Sequence, residues 1–193
     1  MKPKRFSLGI DPDLTVLSMV LIDHDDPRPK VLCSKNPTSK NERLTPAQRV
    51  ALAALEIRDL VDNAFTHYRK VGLWDAFIED QYVSRHSNAN PNDLLALSKI
   101  AGIWLGVLTT KNIDCHLILP ARWKGNCPKG IAQSRTLVKL KIDFTMIGGR
   151  EPYPVPEDIP SLVPPHFLIP NKGDFKDIND SMGLAVWGKE QSK

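Results

Sequence analysis

Four carboxylates in this sequence have the spacing needed to hold divalent metal ions. Asp11 and Glu79 each end a short apolar run, which places them at the carboxyl ends of two predicted strands. Asp177 and Asp180 stand three apart in a predicted C-terminal helix, so both side chains project from one face. Like charges placed in this way repel one another unless a cation neutralises them. Because carboxylate oxygens suit Mg²⁺ and Mn²⁺, the pattern predicts a site for these ions.

Each of these carboxylates also has a structural interpretation. A lone Asp before a turn, as Asp11 is before Pro12, commonly caps that turn. Asp177 and Asp180 could form a solvated acidic face that the helix dipole stabilises. The four together favour the chemical interpretation, because two strand-end carboxylates and an acidic pair on a helix are the layout of two-metal phosphodiester hydrolysis. In that reaction one ion activates water and the other stabilises the leaving oxygen.

The first strands must bring Asp11 to one edge of a sheet. The apolar run that ends at Asp11 predicts a central strand, and strand patterns follow from Thr15 to Ile22 and from Lys30 to Cys33. A turn-rich break from Asp23 to Pro27 separates the last two. Three consecutive strands with short connections predict an antiparallel meander.

A long helix then predicts how Glu79 reaches the same edge. Thr45, Pro46 and Gln48 form a helix start, with Thr as cap, Pro at the first helical position and Gln closing a capping box. The strand that ends at Glu79 follows this helix, so a right-handed crossover can make it parallel to its partner. If that partner is the first strand, Asp11 and Glu79 lie side by side, where ligands of open α/β sheets bind.

A second helix, from Leu94 to about Thr110, is apolar nearly all round and has Gly102 and Gly106 four apart. Such a helix must be buried on two sides, either by the domain or by another subunit. We expect a partly intermolecular surface along residues 91–110.

A strand from Cys115 to Leu119 and a last helix from Phe175 to Trp187, with Asp174 as a plausible cap, complete the pattern. The predicted fold class is α/β, with a mixed five-stranded sheet flanked by helices: an antiparallel meander of three strands plus two parallel strands. We expect one domain over residues 1–193, with a proline-rich insertion at about 150–172.

The composition fits one domain of ordinary type. The chain has 193 residues, 41% hydrophobic and 25% charged, which is enough for one core. Its most apolar stretch, 94–108, falls short of a membrane span, and neither an apolar segment nor a small-residue cleavage site of the signal-peptide type follows the basic N-terminus. We therefore expect a cytoplasmic protein without a membrane partner. The cysteines and histidines show neither zinc nor triad spacing: Cys33, Cys115, Cys127, His24, His67, His86, His116 and His166.

The net charge of +4 and a pI near 9.0 are compatible with a polyanionic partner but do not require one. Cations are concentrated between residues 121 and 141, which we predict to be a loop around Trp123 followed by a helix from about Lys129. These cations are Arg122, Lys124, Lys129, Arg135, Lys139 and Lys141.

Three motifs, taken in order, resemble those of the RuvC family of Holliday-junction resolvases, within the RNase H-like superfamily. They are Leu8-Gly9-Ile10-Asp11-Pro12, Phe77-Ile78-Glu79-Asp80-Gln81 and Asp177-Ile178-Asn179-Asp180. The resemblance implies an RNase H-like homodimer that binds four-way DNA junctions and nicks two strands symmetrically, with two Mg²⁺ or Mn²⁺ ions per active site. By position, the metal ligands and catalytic residues would be Asp11, Glu79, Asp177 and Asp180.

The resemblance also implies residues that bind DNA. Tyr82 falls where the family has an aromatic that stacks on unpaired bases, although a half-buried aromatic at a strand end is an equal alternative. Lys129 and Arg135 fall in the segment that supplies basic residues near the scissile phosphate, and each could instead be a solvated surface charge. The predicted DNA-binding set is Tyr82, Arg85, Arg122, Lys124, Lys129 and Arg135.

Two positions depart from the family pattern. Asp13 stands where the family usually has Gly, so an extra carboxylate either crowds the metal site or faces solvent. Asp80 follows Glu79, and because adjacent strand residues point to opposite faces, it should not share the site. The basic segment from Trp123 to Lys129 is similar to that of phage and other mobile-element nucleases, which suits a bacterial or phage-infected cell.

Three functions remain open from the sequence. The first is a crossover junction endodeoxyribonuclease of DNA recombination and repair. The second keeps the fold and metals but cuts flaps, forks and other branched DNA less selectively. The third is a catalytically inactive RNase H-like DNA-binding protein, which the presence of all four carboxylates disfavours. Actin-like phosphotransferases are excluded, because they need glycine-rich phosphate loops and a longer chain.

Overall fold

The computed structural model describes residues 4–14, 16–26, 30–35, 44–68, 72–80, 91–125, 129–140 and 175–192. The strands are β1 (Lys4–Asp11), β2 (Val16–Asp23), β3 (Lys30–Lys35), β4 (Gly72–Glu79) and β5 (Asp114–Ile118). The helices are α1 (Pro46–Tyr68), α2 (Pro91–Thr109), α3 (Pro120–Lys124), α4 (Lys129–Leu140) and α5 (Phe175–Gln191). The strands form a five-stranded sheet in the order β3-β2-β1-β4-β5.

β1 is the central strand, and the pairing of its neighbours confirms the predicted fold class. β2 pairs antiparallel with β1, and β3 antiparallel with β2, which makes the meander. β4 lies parallel to β1 on its other side, and β5 lies parallel to β4. Residues 6–10 of β1 and all of β2 are buried, as expected for apolar strands covered on both faces.

Helices cover both faces of the sheet, and the alternation of side chains along each strand decides which layer receives them. α5 contacts β1, β2 and β4. A Cβ at Gly9 would point at α5, and the ring of Phe77 packs on Trp187 of α5. On the opposite face, Trp74 of β4 packs on Phe65 of α1. Odd-numbered residues of β1 and β4 therefore face α5, and these include the last residue of each strand.

The predicted capping box begins α1. The hydroxyl of Thr45 accepts a hydrogen bond from the backbone N–H of Gln48 at 3.3 Å, and the Gln48 side chain accepts one from the backbone N–H of Thr45 at 2.8 Å. Two donors at the helix start, which have no partner within the helix, are satisfied in this way. The start of the crossover helix was therefore readable from local sequence alone.

Several boundaries differ from the expectation. Trp123 lies in α3 and not in a loop, because Pro120 at the first helical position favours a helix start there. α5 continues beyond the expected end at Trp187 to Gln191. The proline-rich segment at 150–172 and the expected cap Asp174 lie outside the described residues.

α2 is long and apolar enough to cross a membrane, judged by length and composition alone, over residues 92–109. This corrects the expectation that no stretch reaches that length. Core helices of soluble proteins meet the same criterion, and Ile100, Trp104 and Leu108 of α2 are indeed buried in the core. Only 22% of the window is buried, so the outer face of α2 is open in a single chain.

The backbones of β1 and α5 lie in close contact at Gly9. A Cβ at this position would overlap the backbone carbonyl oxygen of Ser181 and the backbone nitrogen of Ala185 on α5. Backbone atoms of a packed helix cannot move aside as the end of a flexible side chain can. Gly9 therefore sets the distance at which α5 lies on the sheet.

Gly9→Ala is expected to lower the free energy of unfolding by about 1–3 kcal/mol or more, because the added methyl overpacks the β1/α5 contact. Gly102→Ala is the matched control: its Cβ meets open space on α2, so stability should stay unchanged or rise by about 1 kcal/mol. Urea unfolding followed by circular dichroism measures both. Equal stability of the two variants would contradict the close contact of α5 with β1.

Candidate metal centre

Asp11 and Glu79 lie next to each other at the carboxyl edge of the sheet. In the parallel β1/β4 pair, Ile10 is level with Ile78, so the residues that follow them stand side by side. Glu79 is buried, and Asp11 is half-buried. Both side chains face the layer that contains α5. The crossover through α1 is what brings these two carboxylates together.

α5 brings Asp180 to the same place. Asp180 is fully buried. The next residue, Ser181, anchors α5: its Oγ accepts a hydrogen bond from the backbone N–H of Asp11 at 3.0 Å and lies 2.9 Å from Oγ of Ser18 on β2. These contacts fix the rotation of α5 on the sheet. The rotation in turn directs the carboxylate of Asp180 toward the ends of β1 and β4.

α3 supplies an indole and a cation. Nε1 of Trp123 donates a hydrogen bond to Oε2 of Glu79 at 2.8 Å, and Nζ of Lys124 lies 2.9 Å from the same oxygen. Nζ of Lys124 also lies 3.4 Å from Oδ2 of Asp180. Lys124 therefore bridges the strand carboxylate and the helix carboxylate. The ring of Trp123 packs against Gly183, where a Cβ would overlap it.

α4 supplies a second cation and an amide. Nζ of Lys129 lies 2.6 Å from Oδ2 of Asp180, and Nε2 of Gln133 donates a hydrogen bond to Oδ1 at 2.8 Å. Lys129 and Gln133 are four apart on α4, so they share one face of the helix. Oδ2 accepts no well-directed hydrogen bond from the described residues. Two ammonium groups balance its charge instead.

The crowding of these groups affects the pKa of Asp11. Burial raises the pKa of this carboxyl well above its usual range, and the negative charges of Glu79 and Asp180 raise it further. The ammonium groups of Lys124 and Lys129 act in the opposite direction without cancelling the rise. Asp11 therefore favours an additional positive charge beside it, either a proton or a metal ion.

The residues present fit a divalent metal ion. Oδ2 of Asp180 is a buried carboxylate oxygen without a well-directed donor, and two further carboxylates, Asp11 and Glu79, are close enough to influence one another. Carboxylate oxygens are the donors that Mg²⁺ and Mn²⁺ prefer. The two lysine ammonium groups already supply positive charge at this position. The three carboxylates could therefore hold a cation.

The other predicted site residues have different positions. Asp177 lies in α5, but its side chain is outside the described residues, as are Tyr82 and Arg85 altogether. Arg122 and Arg135 are exposed on α3 and α4. The roles in DNA binding and catalysis that the resemblance implies stay predictions for all of them.

Asp13 has a local structural task. Its Oδ1 accepts a hydrogen bond from the backbone N–H of Val16 at 3.1 Å, which ties the turn between β1 and β2. The sequence left two alternatives open for Asp13, crowding of the metal site or exposure to solvent. This contact corresponds to neither of them. A short acidic side chain at a turn forms such bonds readily.

Sequence reasoning missed three residues that hold the cluster together. Trp123, Gln133 and Ser181 each bond a carboxylate or the strand that bears one. The spacing of Gln133 four residues after Lys129 was a signal, because it places both on one helical face. The contacts of Trp123 and Ser181 depend on how α3 and α5 pack, and local sequence does not encode that.

A second group of ligating side chains lies elsewhere on the same face of the sheet. Ligand atoms of Asp75, Asp114 and His116 all lie within 4.8 Å of one another and could hold a metal ion. Asp75 precedes Glu79 by four residues of β4, or about 13 Å, so this cluster is separate from the candidate centre. Arg5 and these three residues line one cavity.

Asp11→Asn is expected to stabilise the metal-free protein at neutral pH. The stability associated with a raised carboxyl pKa is fully present below the unfolded value of about 3.9 and is lost as pH rises through the folded pKa. The variant should therefore melt higher than the parent at pH 7 in chelator, with the gain shrinking toward pH 4. Thermal unfolding tests this, with Asp59→Asn on the exposed side of α1 as control for net charge. A variant that melts lower than the parent at pH 7 would contradict the charge crowding.

No protein-family model and no curated protein matches this sequence. Among solved structures, Thermus thermophilus RuvC in complex with a Holliday junction substrate is similar, with 14% identity, a TM-score of 0.54, and coverage of 94% of this chain and 90% of that chain. A second structure of T. thermophilus RuvC matches with 15% identity, the same TM-score, and coverage of 94% and 91%. At such identities the likeness concerns the fold. The chain has a RuvC-like fold of the RNase H-like type.

Proposed function

We propose that this protein is a metal-dependent, structure-selective endodeoxyribonuclease. The observation that carries the proposal is the convergence of three carboxylates, from β1, β4 and α5, on one largely buried point that also receives two lysines. Asp11, Glu79 and Asp180 are far apart in sequence, and their mutual repulsion opposes folding. Carboxylates gathered at such a cost, with the pKa of Asp11 raised by burial and by its neighbours, are typical of a functional site.

The carboxylates would hold the metal ions. Asp11, Glu79 and Asp180, with Asp177 from the same helix, provide oxygen ligands for two Mg²⁺ or Mn²⁺ ions. Such ions, when bound, make a nucleophile from water and stabilise charge on the leaving oxygen. The burial of Asp180 and Glu79 excludes bulk water from the carboxylates, which strengthens their attraction for a cation.

The two lysines would act on the substrate side. Lys124 and Lys129 balance the carboxylates, and Lys129 is half exposed at its side chain. A metal ion that takes over this balance leaves the ammonium groups available for phosphate oxygens. Both lysines, with Arg122 and Arg135, lie on the helices that border the centre. This placement supports a phosphodiester substrate, since Lys and Arg neutralise phosphates.

We propose branched DNA, and four-way junctions in particular, as the substrate. T. thermophilus RuvC, whose fold is similar, has been solved with a Holliday junction substrate. A less selective nuclease for flaps and forks is the second candidate, because the same centre would serve it equally. We also propose that the whole chain forms one nuclease domain that acts in the cytoplasm of a bacterial or phage-infected cell.

We expect Asp180→Asn and Glu79→Gln each to reduce cleavage of a synthetic four-way junction by more than about 100-fold. Each variant removes the charge of a metal ligand itself, which should cost more than losing a residue that only hydrogen-bonds a ligand. Junction binding measured in Ca²⁺ should change little. Asp80→Asn is the matched control, because Asp80 lies one residue beyond β4 and should point away from the centre. Cleavage by either site variant at the rate of the parent would refute the proposed centre.

A panel of substrates separates the two candidates. Four-way, three-way, flap and linear DNA are cut under single-turnover conditions, and the cut positions are mapped. Paired, symmetric and ligatable nicks in the four-way substrate alone support a junction resolvase. Comparable cutting of flaps and three-way DNA supports the less selective nuclease.

We propose that α2 forms a homodimer interface. Residues exposed on the outer face of α2 recur three or four apart and include small side chains: Leu95, Lys99, Gly102, Gly106 and Thr109. Leu95 is 56% exposed. Small residues let two helices approach closely, and the half-buried apolar residues at their flanks would be covered by a second copy. Symmetric nicking of two strands needs two active sites, which a dimer provides.

Gly102→Glu tests the dimer without weakening the monomer. A Cβ at this position meets open space in a single chain, and Glu is a better helix former than Gly, so folding should be unaffected. The parent is expected to sediment at twice the chain mass of 21.6 kDa, and the variant at the chain mass itself. Gly102→Ala is the control that should remain dimeric. A parent that sediments as a monomer, or a dimeric Gly102→Glu, would refute this interface.

A further inference from the structure

Gln133 contacts one oxygen of the carboxylate that lies deepest in the centre. Its amide nitrogen lies 2.8 Å from Oδ1 of Asp180, and because an ionised carboxylate only accepts hydrogen bonds, the amide must donate. Gln133 is 2% exposed and Asp180 is fully buried. Such a bond is not shared with solvent, so it determines how the carboxylate is oriented.

The two oxygens of Asp180 consequently have different surroundings. Oδ1 is held by a neutral donor from α4, whereas Oδ2 has no well-directed donor among the described residues and faces the ammonium groups of Lys124 and Lys129. A carboxylate free to rotate about χ2 would exchange these positions. The amide of Gln133 fixes one orientation, in which Oδ2 points to the cation position.

Glu79 is held in a similar way from α3. Nε1 of Trp123, also a neutral donor, bonds Oε2 of Glu79 at 2.8 Å. Glu79 of β4 and Asp180 of α5 therefore each accept a hydrogen bond from an uncharged donor, one on α3 and the other on α4. An uncharged donor orients a metal-ligating carboxylate without adding a positive charge that would compete with the metal ion. Hydrogen bonds of this kind to the ligating side chains commonly set metal affinity.

We infer that Gln133 is a positioning residue that orients Asp180 so that Oδ2 binds the metal ion. This inference rests on the proposed metal-dependent function of the centre. Gln133 touches neither metal nor DNA in this role. It acts through Asp180, so the main effect of removing its N–H donor should be weaker metal binding.

Gln133→Met tests the donor apart from packing, because Met has similar length and volume but no N–H group. Mn²⁺ affinity of the full chain is measured by titration calorimetry without DNA, together with thermal unfolding in chelator. The expected result is a 10–100-fold weaker Mn²⁺ affinity. Gln133→Asn, which keeps the donor on a shorter side chain, should fall between Met and the parent.

Thr136→Val is the matched control. Thr136 is buried on the same helix, but its hydroxyl bonds the backbone carbonyl of Ala132 and not Asp180. The control should lose stability without a change in Mn²⁺ affinity beyond about twofold. If Gln133→Met behaves like Thr136→Val, with a lower melting temperature and the Mn²⁺ affinity of the parent, Gln133 has only a structural role and the inference is overturned.

Two further outcomes separate this inference from the proposed function. A parent that binds Mn²⁺ through Asp180 but cuts no branched DNA refutes the nuclease, while a weakened Gln133→Met still supports the positioning role. A parent that cuts junctions while Gln133→Met and Gln133→Asn keep its Mn²⁺ affinity supports the nuclease and overturns the positioning role. If Gln133→Met does not fold, the Asn variant decides, with affinity equal to that of the parent counting against the inference.

Discussion

The repulsion between three carboxylates at one edge of the sheet is the constraint on which the rest of this structure depends. Asp11, Glu79 and Asp180 meet with little solvent between them, and burial together with their mutual repulsion raises the pKa of Asp11. Lys124 and Lys129 reduce the cost by placing ammonium groups against Glu79 and Asp180. Buried charge without partners would be far more expensive. The surrounding helices can be understood as the framework that holds charge and countercharge in contact.

α5 completes the centre, and close contacts with the sheet fix its position. Gly9 allows its backbone to approach β1, and Ser181 bonds both β1 and β2. A small shift of α5 would move Asp180 away from the strand carboxylates. The same helix packs on α4, so the amide of Gln133 and the ammonium of Lys129 reach Asp180 from a neighbour that is itself fixed by α5. The packing of α5 therefore also determines which charges lie next to Asp180.

The two faces of the sheet have separate tasks. The face that receives α5 holds the carboxylates, while α1 and α2 close the other face and leave the outer stripe of α2 uncovered in a single chain. An apolar helix that is only partly buried is unfavourable in water, and a second copy of the chain would relieve this. This separation would let the proposed dimer form without blocking the carboxylate edge.

The sequence by itself determined the three-strand meander, the crossover through α1 and the strand-end positions of Asp11 and Glu79, because apolar runs, caps and connection lengths are local signals that leave few topologies. It also predicted that Asp177 and Asp180 project from the same face of the last helix. Only the tertiary structure decided that Trp123 and Gln133 hold these carboxylates and that Lys124 bridges two of them. Those contacts depend on how α3 and α4 pack against α5 and β4. Packing of that kind arises from the whole chain, so the spacing of Lys129 and Gln133 predicts a shared helical face but does not identify Asp180 as its partner.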